Sequence, residues 1–464
     1  MDNYGRESES KLLQRQQWLS KEQRARMSLI TGSEGVGKRS LVVGALREET
    51  IIWCRFCDKA EPLLLEEICQ QIRSRLGLYI PRTVLTLQLL FDWLFDIGDK
   101  AQFVLVFESF DDLVRKDPEL VRFIATRWKA GRRTLRIHLV ILSTNMAQTR
   151  AAFEAEGAPM LGFPDQRIDL MPFTAQELRS ILESANPQAT GEDLLAFFMA
   201  TGGMPEAVSM LLRDGICTKD AILRALVTRT SPIYRRAEHL CSLVRGRNSE
   251  VYLSILQLIA QGAKSQAEIE TRLGGMVVGG HLAKLENEFQ VLTKMRPVLA
   301  EPGSRNVVRY QISDLSLDFW FRYIEANRPM VVLGHEDALY DIVEADFAVY
   351  GTEIMRRWFL RRFAEENRFD SLGGDWRFSV QTAQSNRQNV FVHKAHARTT
   401  KITTVYELDI VALDNKHKKA LIADVEMTPE SFEKGPFLDR VSALKKGPLK
   451  GYTIDSRLFT LADM

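Results

Sequence analysis

The chain has 464 residues, too many for one ordinary hydrophobic core, so about three domains are expected. With 45% hydrophobic and 26% charged residues it has the make-up of a globular protein, and a net charge of +2 neither demands nor excludes a polyanionic partner. No apolar run reaches the roughly 20 residues that span a bilayer, and Met1–Ser10 lacks the basic and apolar parts of a secretion signal, so no membrane partner and a cytoplasmic location are expected.

Residues 7–19 set Leu12, Leu13 and Trp18 among charged and polar positions as an amphipathic helix does. The apolar run Met27–Ile30 then leads into Thr31-Gly-Ser-Glu-Gly-Val-Gly-Lys-Arg-Ser40, and Leu41–Arg47 reads as helix. Strand, glycine-rich turn, lysine and helix in this order describe a phosphate-binding P-loop. The residues that would hold ATP are Gly32, Ser33, Glu34, Gly35, Val36, Gly37, Lys38, Arg39 and Ser40. Gly32 opens the turn, and Gly35 and Gly37 let backbone N–H groups come close to a phosphate. Lys38 carries the cation that reaches the outer phosphates, and the helix N-terminus adds its partial positive charge.

Two departures sit in the same loop. A hydroxyl directly after the lysine ordinarily ligates Mg²⁺, but Arg39 stands there and has no lone pair to offer. Ser40 lies about 100° further round the helix and aims elsewhere. Glu34 puts a carboxylate into a loop that should cradle anions. Nucleotide binding with weak or absent hydrolysis is the expectation.

A second strand is predicted near 50–57. It contains Cys54-Arg-Phe-Cys57, whose spacing suits zinc or redox chemistry but whose apolar surroundings suit a buried strand, and Cys69, Cys217 and Cys241 form no second ligand pair with it. Helices are predicted near 62–78 and 84–96, the latter capped by Thr83. Phe103–Phe107 is a continuous apolar run, as in a parallel strand buried on both faces, and Arg136–Ser143 and Arg167–Met171 read as further strands. Strands alternating with helices imply an α/β fold built on a doubly wound parallel sheet.

Ligands of such sheets lie beyond the carboxyl ends of the strands. There a P-loop enzyme places Asp for Mg²⁺ and often Glu to polarise the attacking water. This chain has Glu108, which keeps a charge for the metal, and Ser109, which cannot act as a carboxylate base. Ser143, Thr144 and Asn145 stand where a polar sensor of the terminal phosphate would, or form a simple strand-end turn.

Residues 175–245 are helical in pattern, broken at Thr201-Gly-Gly-Met-Pro-Glu206, and read as a helical lid. From 246 to 326, Val251–Ala260, a capped segment from Ser265 with Glu268, and a helix containing His281 and Lys284 precede two strand-like segments, Gln290–Arg296 and Val307–Ile312. Three helices and a hairpin make a winged helix-turn-helix. Its recognition position carries His281 and Lys284 beside Glu286 and Glu288, which suits DNA or a protein partner.

The last section begins helical and ends in the strands Thr403–Leu413 and Ala420–Met427. Paired as a hairpin, these bring Asp409 near Asp424 and Glu407 near Glu426. Like charges facing one another are destabilising, and a divalent cation or inward-reaching lysines would relieve them; a solvated face with splayed charges is the alternative.

Tyr4-Gly-Arg-Glu-Ser-Glu9, the P-loop, Gly202-Gly-Met-Pro205, the winged-helix segment and Glu407-Leu-Asp409 follow one another in an order that resembles the archaeal-type P-loop ATPase family of the AAA/STAND group, found in archaea and bacteria. The resemblance implies a P-loop NTPase domain over 1–175, a helical lid over 176–245, a winged helix-turn-helix over 246–327 and an α/β restriction-endonuclease-like domain over 328–464. It also implies a degenerate nuclease-like site, with Glu353 as the helix glutamate, Asp409 on one strand and Asp424-Val-Glu426 on the next. Asp409 and Asp424 are the metal-binding candidates there, but the lysine such a motif ends on is missing. An ATP-binding switch is therefore the leading expectation, with Mg²⁺ as its metal. A metal-dependent DNA-processing protein and a pseudoenzyme scaffold are the competing ones.

Overall fold

The apolar runs of the first half lie side by side in one all-parallel sheet. In the computed structural model, which describes residues 5–56, 59–244, 249–300, 308–384 and 400–464, β1 (Arg26–Thr31), β2 (Ile51–Arg55), β3 (Phe103–Glu108), β4 (Ile137–Ser143) and β5 (Gln166–Asp169) take the order β2-β3-β4-β1-β5. Tyr4, Cys57 and the connection over 301–307, which enter the sequence reading, lie outside the described residues. The register aligns Thr31 with Ser143 and Arg55 with Glu108, so the carboxyl ends of β1, β4, β2 and β3 finish along one edge.

Seven helices flank these strands among the described residues: α1 (Glu7–Glu22), α2 (Lys38–Ala45), α3 (Glu61–Leu76), α4 (Leu87–Ile97), α5 (Phe110–Lys116), α6 (Pro118–Gly131) and α7 (Met146–Phe153). One sheet face buries Leu29, Cys54, Leu105, Phe107, Leu139 and Ile141 against Ile68 and Ile72 of α3, Phe91 and Leu94 of α4, and Ile124 and Trp128 of α6. On the other face α1 packs on β1, β4 and β5. There the His138 ring bonds Ser28 Oγ at 2.9 Å and Gln17 Oε1 at 3.1 Å. Burial pulls that imidazole down to about 3, so it stays neutral, and its role is to satisfy two polar neighbours inside the sheet.

Several boundaries shift by a few residues, and two of the shifts have a clear local cause. Helix α4 starts at Leu87 with Thr86, not Thr83, as its cap, accepting from Leu89 N at 3.2 Å. Thr83 instead falls in the turn closed by Val84 N on Pro81 O at 3.1 Å. The fifth strand stops at Asp169 rather than Met171, because β1, its only ladder partner among the described residues, ends opposite it at Thr31.

Residues up to Phe173, together with Met204–Glu206, form one compact unit, and Thr174–Gly203 with Ala207–Met464 form another. In the second, α8 (Ala175–Ala185), α9 (Gly191–Thr201), α10 (Pro205–Arg213, whose first two residues belong to the first unit), α11 (Lys219–Val227) and α12 (Pro232–Leu243) come first. Every residue of α9 from Asp193 to Thr201 is buried, which makes it a core helix. Next come α13 (Ser249–Ala260), α14 (Gln266–Arg272) and α15 (Gly279–Asn287), followed by β6 (Leu292–Met295) antiparallel to β7 (Arg309–Ile312). The expected capping box at the start of α14 is present, with Glu268 N on Ser265 Oγ at 3.3 Å.

Helix α16 (Leu315–Phe319) runs on into a wider π turn over Trp320–Glu325, then come α17 (Arg328–Leu333) and the 31-residue α18 (Glu336–Glu366). The chain closes with β8 (Ser371–Gln384), β9 (Thr400–Asp414), β10 (Lys419–Val425), α19 (Lys434–Lys446) and β11 (Thr453–Phe459). These strands form a sheet in the order β11-β10-β9-β8, in which only β10 and β11 run parallel. Phe437 and Leu444 of α19 pack onto Leu408, Val411 and Ile422 of this sheet.

Candidate nucleotide-binding site

The loop between β1 and α2 has the backbone its glycines foretell. Gly32, Gly35 and Gly37 sit at φ 146°, 78° and 93°, in the region other residues seldom adopt. A Cβ on Gly32 would lie 2.6 Å from Leu170 O, and one on Gly35 would lie 2.5 Å from a carboxylate oxygen of Glu206. The loop thus leaves no room for a side chain at Gly32, where the obstacle is backbone, while at Gly35 the mobile end of Glu206 fills the space and the positive φ disfavours any other residue. Val36 is fully buried beneath it, while Ser33, Glu34, Arg39 and Ser40 are exposed.

Lys38 opens α2 and folds back over the loop, donating from Nζ to Gly32 O at 2.6 Å and Ser33 O at 3.0 Å. Burial pulls its ammonium down to about 8, while the negative charges of Asp111, Glu34 and Glu108 pull it back up. Met204, Pro205 and Glu206 belong to the same unit and edge the loop, with Glu206 N donating to Gly35 O at 3.1 Å.

Arg39 does not enter the cradle. Its guanidinium lies over the Trp53 ring, 5.1 Å from the centroid. The indole Nε1–H of the same tryptophan donates to Glu108 Oε2 at 2.6 Å. Glu108 is therefore held through one oxygen, leaving the other for a cation. Ser109 takes a left-handed backbone conformation, φ 56°, and starts α5 at Phe110. This turn puts Asp111 in the first turn of α5, where its Oδ1 accepts from Ser143 Oγ at 3.2 Å and Thr144 N at 3.1 Å.

Of the expected sensor residues, Ser143 and Asn145 are thus committed within the protein. Ser143 is shared between Asp111 and Thr149, 2.7 Å away, and Asn145 Oδ1 caps α7 through Ala147 N and Gln148 N at 3.0 and 3.2 Å. Trp53 and Asp111 both escaped the sequence reading. Asp111 left a legible trace, as a carboxylate three residues after Glu108 in a chain with Ser109 where a base belongs. Trp53 left none.

In the second unit, β9 and β10 pair in the expected register, with Ala423 opposite Ile410, which sets Asp424 beside Asp409. Guanidinium groups, rather than lysines, meet the charge. Arg356 of α18 reaches Asp409 at 2.9 Å, Arg440 of α19 pairs with Asp424, and Arg309 of β7 reaches Glu407 at 2.8 Å. Asp409 also accepts from Val425 N at 2.9 Å. Glu353 faces Lys264 at 3.6 Å and Arg322 at 3.9 Å. Ladder pairing ends before Glu407 and Glu426, and among the described residues no three His, Cys, Asp or Glu side chains are grouped to hold a metal. Asp409 and Asp424, the expected metal ligands, thus each pair with an arginine. Burial pushes Asp424 up to about 6, Arg440 opposes that, and Asp409 adds to it.

No family profile and no curated protein matches this chain. Among solved structures it is similar to a Walker-type ATPase of Pyrococcus abyssi, at 18% identity and TM-score 0.50, over 69% of this chain and 96% of the other. Over that stretch the chain has the fold of a Walker-type P-loop ATPase. Matches of lower TM-score are the ORC2 protein of Aeropyrum pernix in ADPNP–ADP complexes, at 13% identity and TM-score 0.45 over 74% of this chain and 98% of the other, and the ORC1 protein of the same organism in complex with DNA, at 17% and 0.40 over 69% and 92%. No helix among the described residues is long and apolar enough to cross a membrane.

Proposed function

We propose that the first unit binds ATP at Gly32–Ser40 and that the protein works as a nucleotide-dependent switch with slow turnover. One observation carries this reading: three loop glycines hold positive φ, one of them packed against backbone with no room for a Cβ, around the ammonium of Lys38. Lys38 spends its hydrogen bonds on loop carbonyls, and a phosphate would offer stronger, charge-assisted ones. The residue fitted to hold an accompanying Mg²⁺ is Glu108, through the oxygen that Trp53 does not take, since Arg39 is turned to Trp53. When bound, the ion neutralises charge on the outer phosphates.

The experiment is a thermal unfolding series with ATP. Saturating nucleotide at about a hundred times its dissociation constant is expected to stabilise the protein by about 2.7 kcal/mol. Lys38→Ala is expected to abolish the shift; equal stabilisation of both forms would overturn the assignment.

The finer reading of the second unit is that α13–α15 with β6 and β7 make a winged helix-turn-helix, and that the four-stranded sheet with α18 and α19 is a restriction-endonuclease-like fold. On α15, exposed Lys284 stands beside Glu286 and Glu288, a mixed charge that suits a protein partner better than DNA. The arginine partners of Asp409 and Asp424 do not favour metal-dependent cleavage, so this fold would serve binding.

A further inference from the structure

A P-loop hydrolase needs a group to take the proton of the attacking water, and in this chain the residue after Glu108 is a serine. The strand end offers two carboxylates instead of one. Glu108 is drawn toward β2, its Oε2 held by Trp53 Nε1 at 2.6 Å. Asp111 is drawn the other way, toward the end of β4. Its Oδ1 takes Ser143 Oγ and Thr144 N, while its Oδ2 accepts no hydrogen bond from the described residues. Ser143 lies opposite Thr31, the last residue of β1 before the cradle. Asp111 is also the carboxylate that acts most strongly on the Lys38 ammonium. A charge fixed at one oxygen, open at the other, and close to the phosphate-binding lysine has the geometry of a base.

We propose that Asp111 fills the role Ser109 cannot, accepting the proton of the water that attacks the terminal phosphate of bound nucleotide. This rests on the nucleotide-binding reading above. The water oxygen forms a bond to the γ-phosphorus, and the bond from that phosphorus to the β–γ bridging oxygen breaks, with its electron pair leaving on ADP. The water proton passes to Asp111 Oδ2 and from there to solvent, so the products are ADP, phosphate and one proton. The left-handed turn at Ser109 is what brings Asp111 to this place, because it starts α5 immediately and points its first turn across the sheet edge toward β4.

The test uses the full chain and two readouts, equilibrium binding of a fluorescent ATP analogue with Mg²⁺ and single-turnover release of phosphate from γ-labelled ATP. Asp111→Asn keeps an oxygen for Ser143 and Thr144, so folding and binding are expected to stay within about threefold of the parent, while phosphate release falls about a hundredfold. Ser109→Glu added to Asp111→Asn is expected to recover part of the lost rate, because it returns a carboxylate beside Glu108. Release by Asp111→Asn at the parent rate would overturn the proposal, all the more if Asp111→Ala is impaired, since that pattern belongs to a structural residue. A parent protein that binds ATP yet releases no phosphate overturns it as well and leaves the binding reading standing. A parent protein that binds no ATP removes both.

Discussion

Trp53 donates its indole N–H to Glu108 at 2.6 Å while its ring carries the guanidinium of Arg39. Arg39 and Glu108, two departures that look unrelated in the sequence, are thus joined through one tryptophan at the β2–β3 edge of the site. Trp53→Phe keeps a ring for Arg39 and removes only the donor, so urea unfolding is expected to show a loss of about 1 kcal/mol. Trp53→Ala loses the ring as well and is expected to cost about 3 kcal/mol. A double-mutant cycle of Trp53→Phe with Glu108→Gln checks the link, with a coupling of at least about 0.5 kcal/mol expected.

The depressed Lys38 makes two properties move in opposite directions with pH. Its ammonium titrates near 8 in the folded chain against an ordinary 10.5, so between those values the unfolded chain binds more protons and stability rises with pH. Nucleotide affinity requires the charged form and is expected to fall above pH 8, approaching about tenfold per pH unit. Isothermal titration from pH 7 to 9.5 checks this, and Lys38→Ala is expected to show weak affinity with no such slope.

Substitutions in the cradle should rank by what a new Cβ meets. At Gly37 the nearest atom would be Pro205 Cβ at 3.9 Å, so Gly37→Ala meets only the backbone penalty of φ 93°, about 1–2 kcal/mol. Gly32→Ala adds a collision with the backbone oxygen of Leu170 at 2.6 Å and with Val36 at 2.8 Å, and is expected to cost about 3 kcal/mol or more. Denaturant midpoints of the two variants, taken without nucleotide, give the order directly.

The Asp409–Asp424 pair should report on its arginines. Asp424 is raised to about 6 from 3.8, so its contribution to stability is full below about pH 4 and is lost as pH rises through 6. Arg440→Met removes the charge that holds Asp424 down. The carboxyl is expected to titrate above 6 by carbon-13 NMR, and the variant to lose about 2 kcal/mol at pH 7.5 but less at pH 5.

Much of the architecture was legible along the chain because it depends on neighbours in sequence. The glycine spacing of 32–37 dictated a loop of positive φ, Ser265 with Glu268 a helix start, and the unbroken apolar run 103–107 a central parallel strand. Even the register of β9 and β10 followed from alternation through a short polar turn. Local rules stop where partners are remote. Trp53 and Glu108 are 55 residues apart, and Asp111 and Ser143 are 32 apart. They meet because β3 lies between β2 and β4, an order set by how helices cover both sheet faces and not by any single segment. The arginines on α18 and α19 that occupy the acidic pair are equally remote, since helical periodicity tells which face is buried but not which strand it will cover.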